Sequence, residues 1–198
     1  MQHVLQFIHV AEQLKKEMRH SWLSNGRQES VAEHTWRLTV IAMALEPYLK
    51  QPLRMEKLLK MLIIHDLVEV YAGDIPAFEK SNRKEQKHAN EQRAIERLQQ
   101  LLGGVAGQEL YDLWQEFESR ETYEAKVANA IDKLEVQIQH NEASLDTWLP
   151  IEHEMTFQIA KHTEFDDALE QLRLLVVDEA AAKLEAGNID ISNWIKKV

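Results

Sequence analysis

The chain has 198 residues, 44% of them hydrophobic and 28% charged, with six glycines, four prolines and no cysteine. That length suits one domain able to close a hydrophobic core, and so little glycine and proline marks a helix-rich globular chain rather than a β-rich or disordered one. The lack of cysteine excludes disulfides and thiolate-held metal centres, and the formal net charge of −10 argues against broad binding to a nucleic-acid polymer while leaving room for one small phosphate ester.

In chain order, Val4, Phe7, Ile8, Ala11, Leu14 and Met18 fall at helical spacing and predict an amphipathic first helix. This opening lacks the basic start, oily middle and cleavage site of a signal peptide, and no run approaches the roughly 20 apolar residues of a membrane span, so the expectation is a soluble cytoplasmic protein. "RHSWLSNGRQ" breaks the helical pattern. Ser30 and Glu33 in "SVAE" form a capping box that starts a second helix, which runs to about Leu45 and gives way around Pro47 and Pro52. A third helix is predicted from about Met55 to Tyr71, ended by Gly73, and "GDIPAFEKSN" is a loop. "RKEQKHANEQRAIERLQQLL" predicts a charged helix, "GGVAG" a turn, and "QELYDLWQEF" a short helix. "EAKVANAIDKLEVQIQHNEA" carries Val127, Ala128, Ile131, Leu134 and Ile138 at the spacing of a long buried helix, which "WLPIEH" breaks. A last helix covers about Asp166 to Ala186 before Gly187, and the tail is unassigned.

The chemistry concentrates in "IIHDLVEVYAGD". His65 and Asp66 diverge by about 100° on a helix yet can converge obliquely on one ion, and Glu69 lies four residues after the first and three after the second, on the same side. Each has an ordinary reading: a hydrogen-bonded core histidine, a local acceptor, an exposed glutamate. Together they follow the oily run Leu58 to Ile64, where a charged cluster needs compensation such as a divalent cation. His34 sits among Val31, Leu38 and Ile41, and Asp132 lies between Ala128 and Val136, which favours the inner side of its helix. Without thiolates, any metal must be held by imidazole and carboxylate. His9, His88, His140, His153 and His162 show no ligand spacing, and Arg27 and Lys133 could add positive charge near the site without an assigned role.

The order His34, His65–Asp66, Asp132 resembles the H…HD…D pattern of the HD-domain metal-dependent phosphohydrolases. "RQESVAEHTWRL", "HDLVEVYAGDIP" and "AIDKLEVQIQ" are similar to the corresponding segments in the subgroup of 5'-deoxynucleotidases and HD-domain-containing protein 2, and the resemblance covers roughly Arg19 to Leu145. It implies an all-α HD-domain fold of about seven or eight helices. It also implies one divalent metal (Mn, Co, Fe, Zn or Mg) held by His34, His65, Asp66 and Asp132, with Glu69 as the general acid or base. Arg19 and Trp22 would contact the phosphate and sugar of a small nucleotide, and Asp74 a sugar hydroxyl. In the best-known bacterial type the arginine and tryptophan are adjacent, whereas "RHSW" separates them here. The resemblance further implies a homodimer. The expected reaction is removal of the 5'-phosphate from (deoxy)nucleoside monophosphates by water. The alternatives are hydrolysis of another nucleotide phosphate bond, such as a triphosphate, and a non-catalytic metal- or nucleotide-binding helical protein.

Overall fold

The computed structural model describes residues 1–76 and 78–195, without the side chain of Arg83. Seven helices of ten or more residues form among them: α1 (Gln2–Ala11), α2 (Val31–Leu45), α3 (Met55–Ile64), α6 (Lys87–Leu102), α7 (Gly104–Ser119), α8 (Tyr123–Glu142) and α10 (Asp167–Ala186). Shorter turns of helix join them: α4 (Glu69–Ala72), α5 (Asn82–Glu85), α9 (Pro150–Met155) and α11 (Ser192–Ile195). The all-α expectation holds, apart from a small antiparallel hairpin of β1 (Met18–Trp22) and β2 (Gln28–Ser30).

That hairpin occupies the stretch that broke the first helical pattern. α1 ends at Ala11, a tighter turn covers Glu12–Lys15, and the predicted continuation to Met18 becomes the start of β1. The local signal was Asn25–Gly26 between two short strands: Gly26 adopts φ 81°, a left-handed conformation that glycine reaches without steric cost.

α8 is the central element. Val127, Ala128, Ala130, Ile131 and Leu134 are wholly buried on it and pack with Leu38 of α2, Leu58 and Leu62 of α3 and Leu169 of α10. Fully burying each such aliphatic side chain contributes roughly 1.5–3 kcal/mol. Thr122 caps α8 by accepting from Ala125 N–H, and Asp166 caps α10 by accepting from Ala168 and Leu169 N–H. The predicted capping box of α2 is present, and Gly73 ends α4 as expected at φ 73°. "GGVAG" differs from its reading as a turn, because α7 begins at Gly104. Gly107 lies inside α7 with its Cα against the Gln99 carbonyl, so any Cβ would clash and only glycine lets α6 and α7 approach this closely. No helix among the described residues is long and apolar enough to cross a membrane.

Candidate active site

The third predicted helix is not continuous. α3 ends at Ile64, and the backbone tightens into i→i+3 bonds: Leu67 N–H to Ile64 C=O at 2.9 Å, Glu69 N–H to Asp66 C=O at 3.0 Å and Val70 N–H to Leu67 C=O at 3.3 Å. Such winding puts residues i and i+3 in line, so Glu69 stands directly over Asp66. His65 and Asp66 thus project from a turn between helices rather than from a regular helix. The turn is wedged against the second apolar cluster through Leu67 and Val68.

Four elements meet here. The ring of His34 from α2 is wholly buried, with Nε2 3.2 Å from Asp132 Oδ1 of α8 and 3.7 Å from Asp66 Oδ2. His65 Nε2 lies 3.2 Å from Asp66 Oδ1. His65 donates from Nδ1 to the Leu62 carbonyl at 2.8 Å, which leaves Nε2 bare, and its ring packs on Phe117 with centroids 4.8 Å apart. His34 Nδ1 meets Glu135 Oε2 at 2.5 Å. Both imidazoles are thereby held from behind, with Nε2 of His34 facing Asp132 and Asp66 and Nε2 of His65 facing Asp66.

The electrostatics favour a cation at this point. Burial works against ionised Asp66, yet His65, Arg19 and His34 hold its carboxyl far below the ordinary range. Asp132 is likewise held well down against burial, by Lys133 and the two histidines. Burial and Arg19 oppose a charge on His34, but Glu135 and Asp132 raise it to about 9. Carboxylates that draw a proton onto a buried imidazole would draw a divalent cation in its place. His34 Nε2, His65 Nε2 and Glu69 Oε2 are buried without hydrogen-bond partners, and a donor set of two nitrogens and two carboxylates suits a borderline or hard divalent ion with open positions. A second potential grouping, Glu29, His34 and Glu135, shares the opposite side of the His34 ring. There the Glu135 bond already occupies Nδ1, and Arg19 and Arg37 approach the two carboxylates at 3.5 and 3.9 Å, so those charges are answered without an ion.

His65, Asp66, Glu69 and Asp132 line a cavity of about 580 Å³, a size suited to a small ligand, and His34 is wholly buried behind it. Arg19 reaches in from β1, donating to Asp66 at 3.1 Å. Glu69, 3% exposed, is pushed well above the usual carboxylate range by burial and then by Asp66 and Asp74. Asp74 also lines the wall; burial raises its carboxyl against Arg19, and Glu69 hydrogen-bonds to it. Of the residues singled out in the sequence, seven gather here: Arg19, His34, His65, Asp66, Glu69, Asp74 and Asp132. Trp22 does not. It ends β1 three residues beyond Arg19, about 10 Å along an extended strand. Its carbonyl accepts from Gln139 of α8 at 2.7 Å, which ties that end of β1 to α8, and Arg19, His20 and Ser21 are the residues of β1 that line the wall.

Sequence reasoning missed several members. Glu135 and Glu29 support His34 and Arg19 from behind, and a buried Glu152 lies 3.4 Å from His20 and 3.8 Å from His140 at the far wall. Only Glu135 had a local signal, one turn after Asp132 on the same helix face.

A family model described as HD domain matches residues 11–173. The chain belongs to the HD-domain family. The resemblance read from the three motifs is borne out. This HD-domain protein is 33% identical over 141 residues to the 5'-deoxynucleotidase HDDC2 of Homo sapiens, covering 70% of this chain and 67% of that one. It is 36% identical over 138 residues to its namesake from Xenopus laevis, covering 69% and 67%. Among solved structures it is similar to a predicted metal-dependent phosphohydrolase from Magnetospirillum magnetotacticum MS-1, with a TM-score of 0.82 and 30% identity over 91% of this chain and 92% of the other. HD-domain membership implies a divalent metal, and the buried donors described above fit one.

Proposed function

We propose that this HD-domain chain is a divalent-metal-dependent phosphomonoesterase that removes the 5'-phosphate of deoxynucleoside monophosphates with water as the nucleophile. The observation that carries the reading is that His34, His65 and Asp66 offer ligand atoms within 4.8 Å of one another, with Asp132 3.2 Å from His34 and neither imidazole Nε2 hydrogen-bonded. The names of the relatives support the substrate class. In this reading the four side chains hold Mn²⁺, Co²⁺, Fe²⁺, Zn²⁺ or Mg²⁺. A divalent ion bound there supplies positive charge to the phosphoryl oxygens and acidifies water.

The chain's own residues do the rest. Arg19 binds the phosphate: burial disfavours its charge, but Asp66, Asp74 and Asp132 keep the guanidinium protonated. Breaking the P–O5' bond leaves an alkoxide that needs a proton. Glu69, whose carboxyl is pushed well above its ordinary range by burial and then by Asp66 and Asp74, delivers it. Asp74 orients the sugar through a hydroxyl. Trp22, outside the cavity wall, has no part in this scheme.

The whole chain acts as one domain in this reading, in the cytoplasm, on small nucleotides rather than polymers, which the net charge of −10 disfavours. A homodimer is part of it as well. Trp36, Val40 and Met43 of α2 are 66%, 46% and 61% exposed on one helix face, an apolar patch against which a second copy can pack.

The test is phosphate release from deoxy- and ribonucleoside monophosphates after chelation and re-addition of Mn²⁺, Co²⁺ or Mg²⁺. Activity should vanish and return with the metal, and Glu69→Gln should lose on the order of 10²-fold in kcat, the usual scale for a general acid, while keeping one metal per chain. Turnover indifferent to chelator would overturn the assignment.

A further inference from the structure

Beside Asp132 the cavity wall includes Asn129 and Lys133 of α8 together with Arg120, Lys161 and His162. Asn129 stands one helical turn before Asp132, about 5 Å along the axis. It is 4% exposed, its Nδ2 lies 3.0 Å from His162 Nδ1, and its Oδ1 is buried without a hydrogen-bond partner. Buried amide groups are nearly always paired, so this unpaired end marks a place where a polar group belongs. A half-turn of the amide, with the imidazole proton moved to Nδ1, makes that same end an N–H donor.

Around this pair stand three cations. Lys133 meets Asp132 at 2.8 Å, whereas neither Lys161 nor Arg120, both exposed at the mouth, has an ion-pair partner within 4.0 Å among the described residues. Burial, then the charges of Lys133, Lys161 and Arg120, push His162 down to about 4, which makes it a neutral hydrogen-bonding group at pH 7. Arg120 holds φ 53° at the end of α7, a left-handed position that favours glycine. The wall carboxylate Glu91 pairs with Lys87 at 3.2 Å, and Glu118 adds to its negative surroundings. In a chain of net charge −10 this end of the cavity is a local excess of positive charge beside a buried amide and a half-buried neutral imidazole, the chemistry that binds an oxyanion.

We propose that Asn129, Lys133, Lys161, His162 and Arg120 form a second phosphate subsite, adjoining the donor cluster, that admits nucleotides carrying a second phosphate group. The proposal rests on the phosphomonoesterase reading for its substrate class. The second phosphate belongs either to a 5'-diphosphate or to a 3',5'-bisphosphate, which present the same anion from different directions.

The experiment compares the metal-loaded protein with a double variant, Arg120→Asn and Lys161→Gln. Asparagine tolerates the left-handed backbone, and equal melting temperatures would show that the fold is kept. kcat/KM is measured for dAMP, dADP and deoxyadenosine 3',5'-bisphosphate, and inorganic pyrophosphate binding is followed by calorimetry. Loss of charge-assisted contacts should lower the two-phosphate to one-phosphate kcat/KM ratio by about tenfold and weaken pyrophosphate to a similar degree. The substrate whose ratio falls identifies which phosphate is held. A pyrophosphate Kd or ratios for both two-phosphate substrates that stay within about twofold of the parent's overturn the proposal. If the parent hydrolyses no monophosphate, the functional reading fails, and the pyrophosphate Kd alone then decides the subsite.

Discussion

The His34 ring is the physical centre of the site, with Nδ1 held by Glu135 and Nε2 left without a hydrogen-bond partner beside two carboxylates. Nδ1 meets Glu135 at 2.5 Å and Nε2 faces Asp132 and Asp66. Behind it, burial and then the Glu135 charge raise the Glu29 carboxyl to about 7 against Arg19, so negative charge in this wall is already near its limit. Removing the charge of Glu135 while keeping its shape loosens the hold on the imidazole without touching a donor to the cation. Glu135→Gln should therefore weaken metal affinity by about 10–100-fold, as replacement of such supporting carboxylates does elsewhere. Calorimetric titration of the metal-free protein checks it, and unchanged affinity would reduce Glu135 to a packing role. None of this is visible at the level of residue type. Glu135 is one of 33 acidic residues, and only its place one turn beyond Asp132 hinted that it faces inward.

Elements succeeded or failed in the sequence according to how local their causes are. The capping box of α2 was legible because Ser30 and Glu33 satisfy each other's backbone N–H groups within four residues. Hydrogen bonds from Arg27, against partial burial, and those from Ser30 depress the Glu33 carboxyl to about 2 from its ordinary 4.5. A carboxyl lowered on folding adds stability above its unfolded value and loses it as pH falls through the folded one. The melting temperature of Glu33→Gln should thus lie below the parent's at pH 7, and the gap should close between about pH 4.5 and 2. A constant gap across that window would show that hydrogen bonding of the neutral form carries the cap. The break at His65–Val68 was not legible, because an apolar run followed by Val68, Val70 and Tyr71 carries no glycine or proline to end a helix. The winding tightens there because Leu67 and Val68 are pulled into a cluster built by α1, α6 and α7, elements remote in sequence.

At the scale of the whole molecule, α8 brings the halves together: it supplies Asp132 and Glu135 to the centre, Asn129 to one end of the cavity and His140 to the other. The face of α2 opposite the cavity remains apolar and exposed, and Trp36→Glu should shift the sedimentation of the proposed dimer to that of a monomer. An unshifted profile would move the interface to another face. The helical character of the chain and the capping box of α2 were determined by the sequence alone, because periodicity and caps act over a few residues, and the candidate cation donors were named there through the H…HD…D resemblance. The tertiary structure alone decided that Trp22 lies outside the cavity, that Glu135 stands behind His34, and that His162 and Arg120 join Asn129. These depend on contacts between segments tens of residues apart, and such contacts are fixed by packing around a shared core rather than by any local pattern.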